Sequence, residues 1–134
     1  MSSDLTALLP VSKFETEKAV HIASLGYPAV EPVMPQILAW LQDLNWPVAR
    51  VFLPFAVSIG APLAPHVRSI LRADDGCWKH SVLSGVVAES LELAVCLRPE
   101  LQRLASAPTP IESQEKVNVV ASEILSRMDR GPEA

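Results

Sequence analysis

Cys77 and His80 stand three residues apart, a spacing at which one face of a helix can offer a thiolate and an imidazole to a zinc ion. His66 and Cys96 remain to complete a set of four, and neither belongs to a second pair at ligand spacing. Cys77 also has the makings of a nucleophile, because Lys79, His80 and a helix start beside it would favour the thiolate. Asp74 and Asp75 act against that. No base with an orienting partner, glycine-rich phosphate loop or G-x-S-x-G turn accompanies it. A small enzyme or metal-binding protein using Cys77, His80 and His66 is the alternative reading. Packed thiols and a surface imidazole are the plainer one, and no catalytic residue, metal or cofactor is assigned.

A second constellation suits recognition better than catalysis. Asp43, Asn45, Trp46 and Arg50 return in altered form as Asp74, Asp75, Trp78 and Lys79. If the two stretches lie side by side, they make a ridge of two indoles, carboxylates and cations. Trp and Arg are the types enriched where binding energy concentrates. The plainer account is that Asp and Asn cap helices while the indoles seal the joint between helix pairs, and it weighs more. The carboxylate pairs Glu15/Glu17, Glu89/Glu92 and Glu112/Glu115 are expected on solvated helix faces.

These residues need helices to position them. Ser12-Lys13-Phe14-Glu15 is a capping box, and Gly26 supplies a C-terminal stop, which predicts a first helix over 13–25 with Phe14, Val20, Ala23 and Leu25 as its apolar positions. A short turn near 29–33 leads to a helix from Pro35 to Leu44 with the stripe Ile37, Leu38, Trp40, Leu41 and Leu44. Pro47 opens a third helix over 47–59, apolar nearly all round and expected to bend at Pro54. Pro62 and Pro65 open a fourth, with Val67, Ile70 and Leu71 inward and His66, Arg68 and Arg72 outward. Asp75 or Gly76 caps a fifth from Cys77 to Ser90. Arg98 to Ser106 is a sixth, and Thr109-Pro110-Ile111-Glu112 is a second capping box opening the last, over 110–128. Gly131-Pro132 marks its stop.

The pattern repeats. Pro35, Pro65 and Pro99 each precede similar apolar positions, and Trp46 and Trp78 lie 32 positions apart. Periods of this length that hold a helix pair belong to helical solenoids, whose middle helices are covered on both sides. Leu9-Pro10, Ser12-Lys13-Phe14, Pro32 to Trp40, the run Gln42 to Ala49 and Trp78-Lys79 together resemble a bacterial family of small HEAT-like proteins of unknown function, over about residues 8–128. The resemblance implies an armadillo/HEAT-type α-α superhelix and brings neither a reaction nor a ligand with it.

Composition narrows the rest. The chain has 134 residues, 49% hydrophobic, with 12 prolines and a net charge of −4, and its mean hydropathy is +0.26. That is too apolar for disorder. Two cysteines make no disulfide framework, and no basic run points to nucleic acid. The longest uncharged run, Val51 to Pro65, is broken by Pro54, Gly60 and Pro62 and is shorter than the ~20 residues that span a bilayer. A cytoplasmic location is expected in the absence of a secretory signal.

The expectation is an all-α protein: a short α-α superhelix of HEAT/armadillo-like pairs with six to eight helices, a lead-in at 1–11, one domain at 12–128 and a tail at 129–134. Its expected role is a non-enzymatic protein- or peptide-binding module, with an immunity or antitoxin-like binder as one form of it. It is expected to contact no nucleic acid and no membrane, and to be a monomer or weak homodimer.

Overall fold

Proline and glycine punctuate this chain so often that no helix runs past fourteen residues among those described. A computed structural model describes residues 2–130 as helices and turns, with no strand among them. The helices are α1 (Ser2–Leu8), α2 (Thr16–Ser24), α3 (Met34–Ala39), α4 (Pro47–Ile59), α5 (Ala64–Arg72), α6 (Gly76–Gly85), α7 (Leu91–Cys96), α8 (Arg98–Ser106), α9 (Pro110–Gln114) and α10 (Val117–Arg130). Short 3-10 turns at Glu31–Val33, Trp40–Gln42, Ala61–Leu63 and Val87–Glu89 join several of them. Ten α-helices among the described residues exceed the six to eight expected. The expected stop at Gly131-Pro132 lies outside those residues.

Three departures account for the larger number. The stretch read as a lead-in contains α1, which packs on α2 and on the Glu31–Val33 turn. The helix expected to run to Ser90 ends at Gly85. Ser90 is instead the cap of α7, its hydroxyl accepting from the Leu93 N–H at 3.4 Å. The last helix is split at Lys116, whose φ of 62° is left-handed and cannot continue α-helix.

The first helix also begins later than its capping box suggests. Glu15 Oε1 accepts from the Val11 and Ser12 N–H groups at 2.6 and 3.3 Å, while Ser12 Oγ accepts from Phe14 N–H rather than from Glu15. Only half of the box forms. It folds residues 11–15 into a turn whose Lys13 carbonyl accepts the Val48 N–H at 3.1 Å, satisfying one of the amides left open at the start of α4. Phe14, Val20 and Leu25 are therefore exposed, and Ala19 and Ile22 are the buried face of α2.

α4 fits its expected limits. Trp46 holds an extended conformation before Pro47, and Gly60 closes the helix at φ 76°, ψ −135°. Val48, Ala49, Phe52 and Ala56 are buried. The helix continues through Pro54, which shares an exposed face with Arg50 and Ser58, where water can serve the carbonyl that a proline leaves unpaired. At Gly60 the chain turns by 110° into the segment Ala61–Arg72. Glu92 locks the turn by accepting the Ala61 N–H at 3.0 Å.

Helices near one another in the chain pack together: α3 on α4, α5 on α6, and α8 on α10 across the short α9. The second members also meet across pairs. α2 lies on α4, and α6 on α10. α4 approaches α6 so closely that a Cβ on Gly85 would come within 2.9 Å of Leu53. One core results, with Phe52, Ile37, Leu41, Leu63, Leu83, Leu97 and Leu104 fully enclosed. No single helix among the described residues is long and apolar enough to cross a membrane.

Candidate functional site

Asp75 fixes the start of α6. Its carboxylate accepts the Trp78 N–H at 2.9 Å, the side-chain cap that a helix start needs. With the backbone set, the Trp78 indole reaches across to α3, where its Nε1–H donates to the Leu38 carbonyl at 3.1 Å. The ring is partly buried and forms one wall of a cleft of about 210 Å³ between α3 and α5, lined also by Pro35, Leu38, His66, Ser69 and Ile70. The lining is mostly apolar. At its edge His66 Nε2 and Glu31 Oε2 are 2.9 Å apart and tie α5 to the turn before α3.

Trp78 also lines a wider, open depression with Gln42, Asp74, Asp75, Cys77, Ile111 and Glu115. Asp74 and Asp75 are exposed. Cys77 Sγ donates to Glu115 Oε1 at 3.4 Å. The Glu115 carboxylate, by that bond and by its charge, raises the thiol above its usual range, with burial and Asp75 adding to it. A thiol so placed is a poor nucleophile. Cys77 answers to Glu115 and His66 to Glu31. Among the described residues no three His, Cys, Asp or Glu side chains are grouped to hold a metal.

The expected ridge is only partly assembled. Asp74, Asp75 and Trp78 share one depression. Trp46, also partly buried, packs edge-to-face on Trp40 with centroids 5.6 Å apart and planes at 75°, and it lines neither the cleft nor the depression. Asp43 accepts the N–H of Asn45 at 2.9 Å and so closes its own turn. Asn45 and Arg50 are exposed. Lys79, expected as a surface cation, is buried: its Nζ meets Glu112 Oε2 at 2.6 Å.

Glu112 corrects a second expectation, since it was placed with the solvated carboxylates and is 1% exposed. The Thr109 box does form, Thr109 Oγ1 accepting the Glu112 N–H and Glu112 Oε1 accepting the Thr109 N–H. The same carboxylate then takes Lys79 and a two-pronged contact from Arg103, at 3.2 and 2.8 Å. Burial pushes this carboxyl up, but hydrogen bonds from Arg103, Lys79 and Thr109, with the Lys79 charge, outweigh it and hold the group at about 2. His66 and Arg68, expected outward, are likewise engaged, Arg68 with Glu100 at 2.9 Å and with the Cys96 carbonyl.

Pro35, Leu38, Ser69 and Ile70 carry no chemical signature of a site. The proline starts at Pro35 and Pro65 mark the two helices that flank the cleft, and no residue type marks the cleft itself.

No curated protein matches the sequence. A family match extends over residues 8–125, from the end of α1 to the body of α10, and so takes in every residue of the cleft and of the depression beside it. The chain belongs to the family described as "Domain of unknown function (DUF5071)".

Proposed function

We propose that this chain is a non-enzymatic binding module, a short HEAT-like stack that captures a protein or peptide segment at the Trp78 cleft. The observation that carries the reading is the cleft itself, a mostly apolar opening at a joint between helix pairs with an indole as one wall. Concave, largely apolar sites with a few polar groups at the edge are where ligands bind, and aromatic side chains anchor protein interfaces.

The stacked architecture draws support from the reach of the side-chain hydrogen bonds between distant helices. Ala61 to Glu92 spans 31 positions, Arg68 to Glu100 spans 32, Lys79 to Glu112 spans 33 and Trp78 to Leu38 spans 40. Each ties one helix pair to the next, as expected where every repeat contacts its neighbours.

The test uses Ser69→Phe, a change at an exposed cleft-lining position that fills the opening and leaves the core intact. Peptides selected from a random displayed library against the wild-type protein are expected to lose binding to Ser69→Phe and to keep it toward Lys116→Ala. A selection that returns no binders, or binders indifferent to Ser69→Phe, overturns the reading.

A further inference from the structure

We infer that the partner segment at the Trp78 cleft is cationic and apolar together: one aromatic or branched side chain enters the cleft, and adjacent lysines or arginines lie along Asp74, Asp75 and Glu115. The inference rests on the binding reading above and names the chemistry of the partner.

Trp78 lines both hollows, the apolar cleft and the open depression. A segment anchored in the first must therefore run past the second or away from it. The charged side chains lining the depression are Asp74, Asp75 and Glu115, with no lysine or arginine among them. Asp74 has no ion pair among the described residues. The cation that the sequence places next to Trp78 is Lys79, and its Nζ is turned into the core and neutralised by Glu112. The lining of the depression is thus negative, while the exposed Arg72 and Lys116 flank it in sequence.

Ile111, 47% exposed, adds apolar surface within the same lining, which suits the methylene stem of a lysine or arginine whose charged head reaches a carboxylate. A neutral or acidic segment would meet the carboxylates unpaired or repelled, so the charge pattern selects among segments that fit the cleft.

The experiment extends the library selection against the full-length protein. Selected peptides are synthesised and their affinities measured by calorimetry at low and high salt, for wild type, Asp74→Lys, Asp74→Asn and Ser69→Phe. The expected peptides carry an aromatic or branched apolar residue with lysine or arginine close by. Their affinity falls about tenfold between low salt and ~0.3 M salt, and by a similar factor or more with Asp74→Lys, with Asp74→Asn in between. Peptides that depend on Ser69 but are uncharged, and are indifferent to salt and to both Asp74 variants, overturn the cationic partner and leave the binding module standing. A selection without binders sinks both.

Discussion

Lys79 Nζ stands 2.6 Å from Glu112 Oε2, and the two side chains are 5% and 1% exposed. The pair joins the first turns of α6 and α9 across 33 positions of chain. Arg103 and the Thr109 N–H complete the carboxylate's hydrogen bonding.

Removing one partner from such a cluster leaves the other charge buried and uncompensated. Glu112→Ala strands Lys79 and removes the carboxylate half of the Thr109 capping box, and is expected to cost about 3–5 kcal/mol. Lys79→Met leaves Glu112 still held by Arg103 and Thr109 and is expected to cost clearly less. Urea unfolding of the two variants beside wild type checks the order. Equal losses would show that Lys79, not the wider cluster, carries the effect.

The same carboxylate makes stability depend on pH with a definite sign. Glu112 titrates at about 2 in the folded protein against an ordinary 4.5, so the unfolded chain binds the proton first. The stabilisation is fully present above about pH 4.5 and is lost as pH falls from there toward about 2, amounting to about 3 kcal/mol. Thermal melts across this acid range are expected to show a steeper decline for wild type than for Glu112→Gln, which has no carboxyl to protonate.

Gly60 is constrained twice over. Its φ of 76° with ψ −135° disfavours any side chain, and a Cβ there would sit 2.9 Å from Glu92 Oε2. Gly60→Ala is expected to cost about 2–4 kcal/mol. The double variant Gly60→Ala/Glu92→Ala removes the steric conflict but not the backbone one, so it should not recover wild-type stability. Chemical denaturation of all three variants in the cycle separates the two contributions.

Cys77 is exposed, yet Glu115 suppresses its thiolate. Alkylation by iodoacetamide near neutral pH, followed peptide by peptide in a mass spectrometer, is expected to proceed more slowly at Cys77 than at an unstructured thiol. Glu115→Gln should speed it. A Cys77 more reactive than a free thiol in the wild-type protein would revive the nucleophile that its neighbours argue against.

What the sequence made legible followed punctuation. Pro47 at a helix start and Gly60 at its end bounded α4 to the residue, and Arg98 to Ser106 was equally plain. Ser90 misled because a serine ends one helix as readily as it caps the next, so α7 went unread between the two helices expected on either side. The break at Lys116 was invisible because the left-handed residue there is not glycine or asparagine. Phe14 and Val20 looked like core by type, but the half-formed box at Ser12 delays α2 and turns them outward. Trp78 was readable as a candidate site residue through its repeat with Trp46. The divergence of those two was not, because Trp40 lies within reach of Trp46 only after folding. The burial of Glu112 depends on Lys79 and Arg103 arriving from other helices, and no local pattern encodes that.

Apart from Arg103 with Glu112, the hydrogen bonds that join one helix to another reach over a narrow range of chain separation. From the Val48–Lys13 backbone contact near one end to Arg98–Asp129 near the other, they span 28 to 40 positions among the described residues. The molecule is thus laced like a zipper rather than clasped end to end. Loss of any one bond therefore unties two segments a few tens of residues apart and leaves the other ties in place.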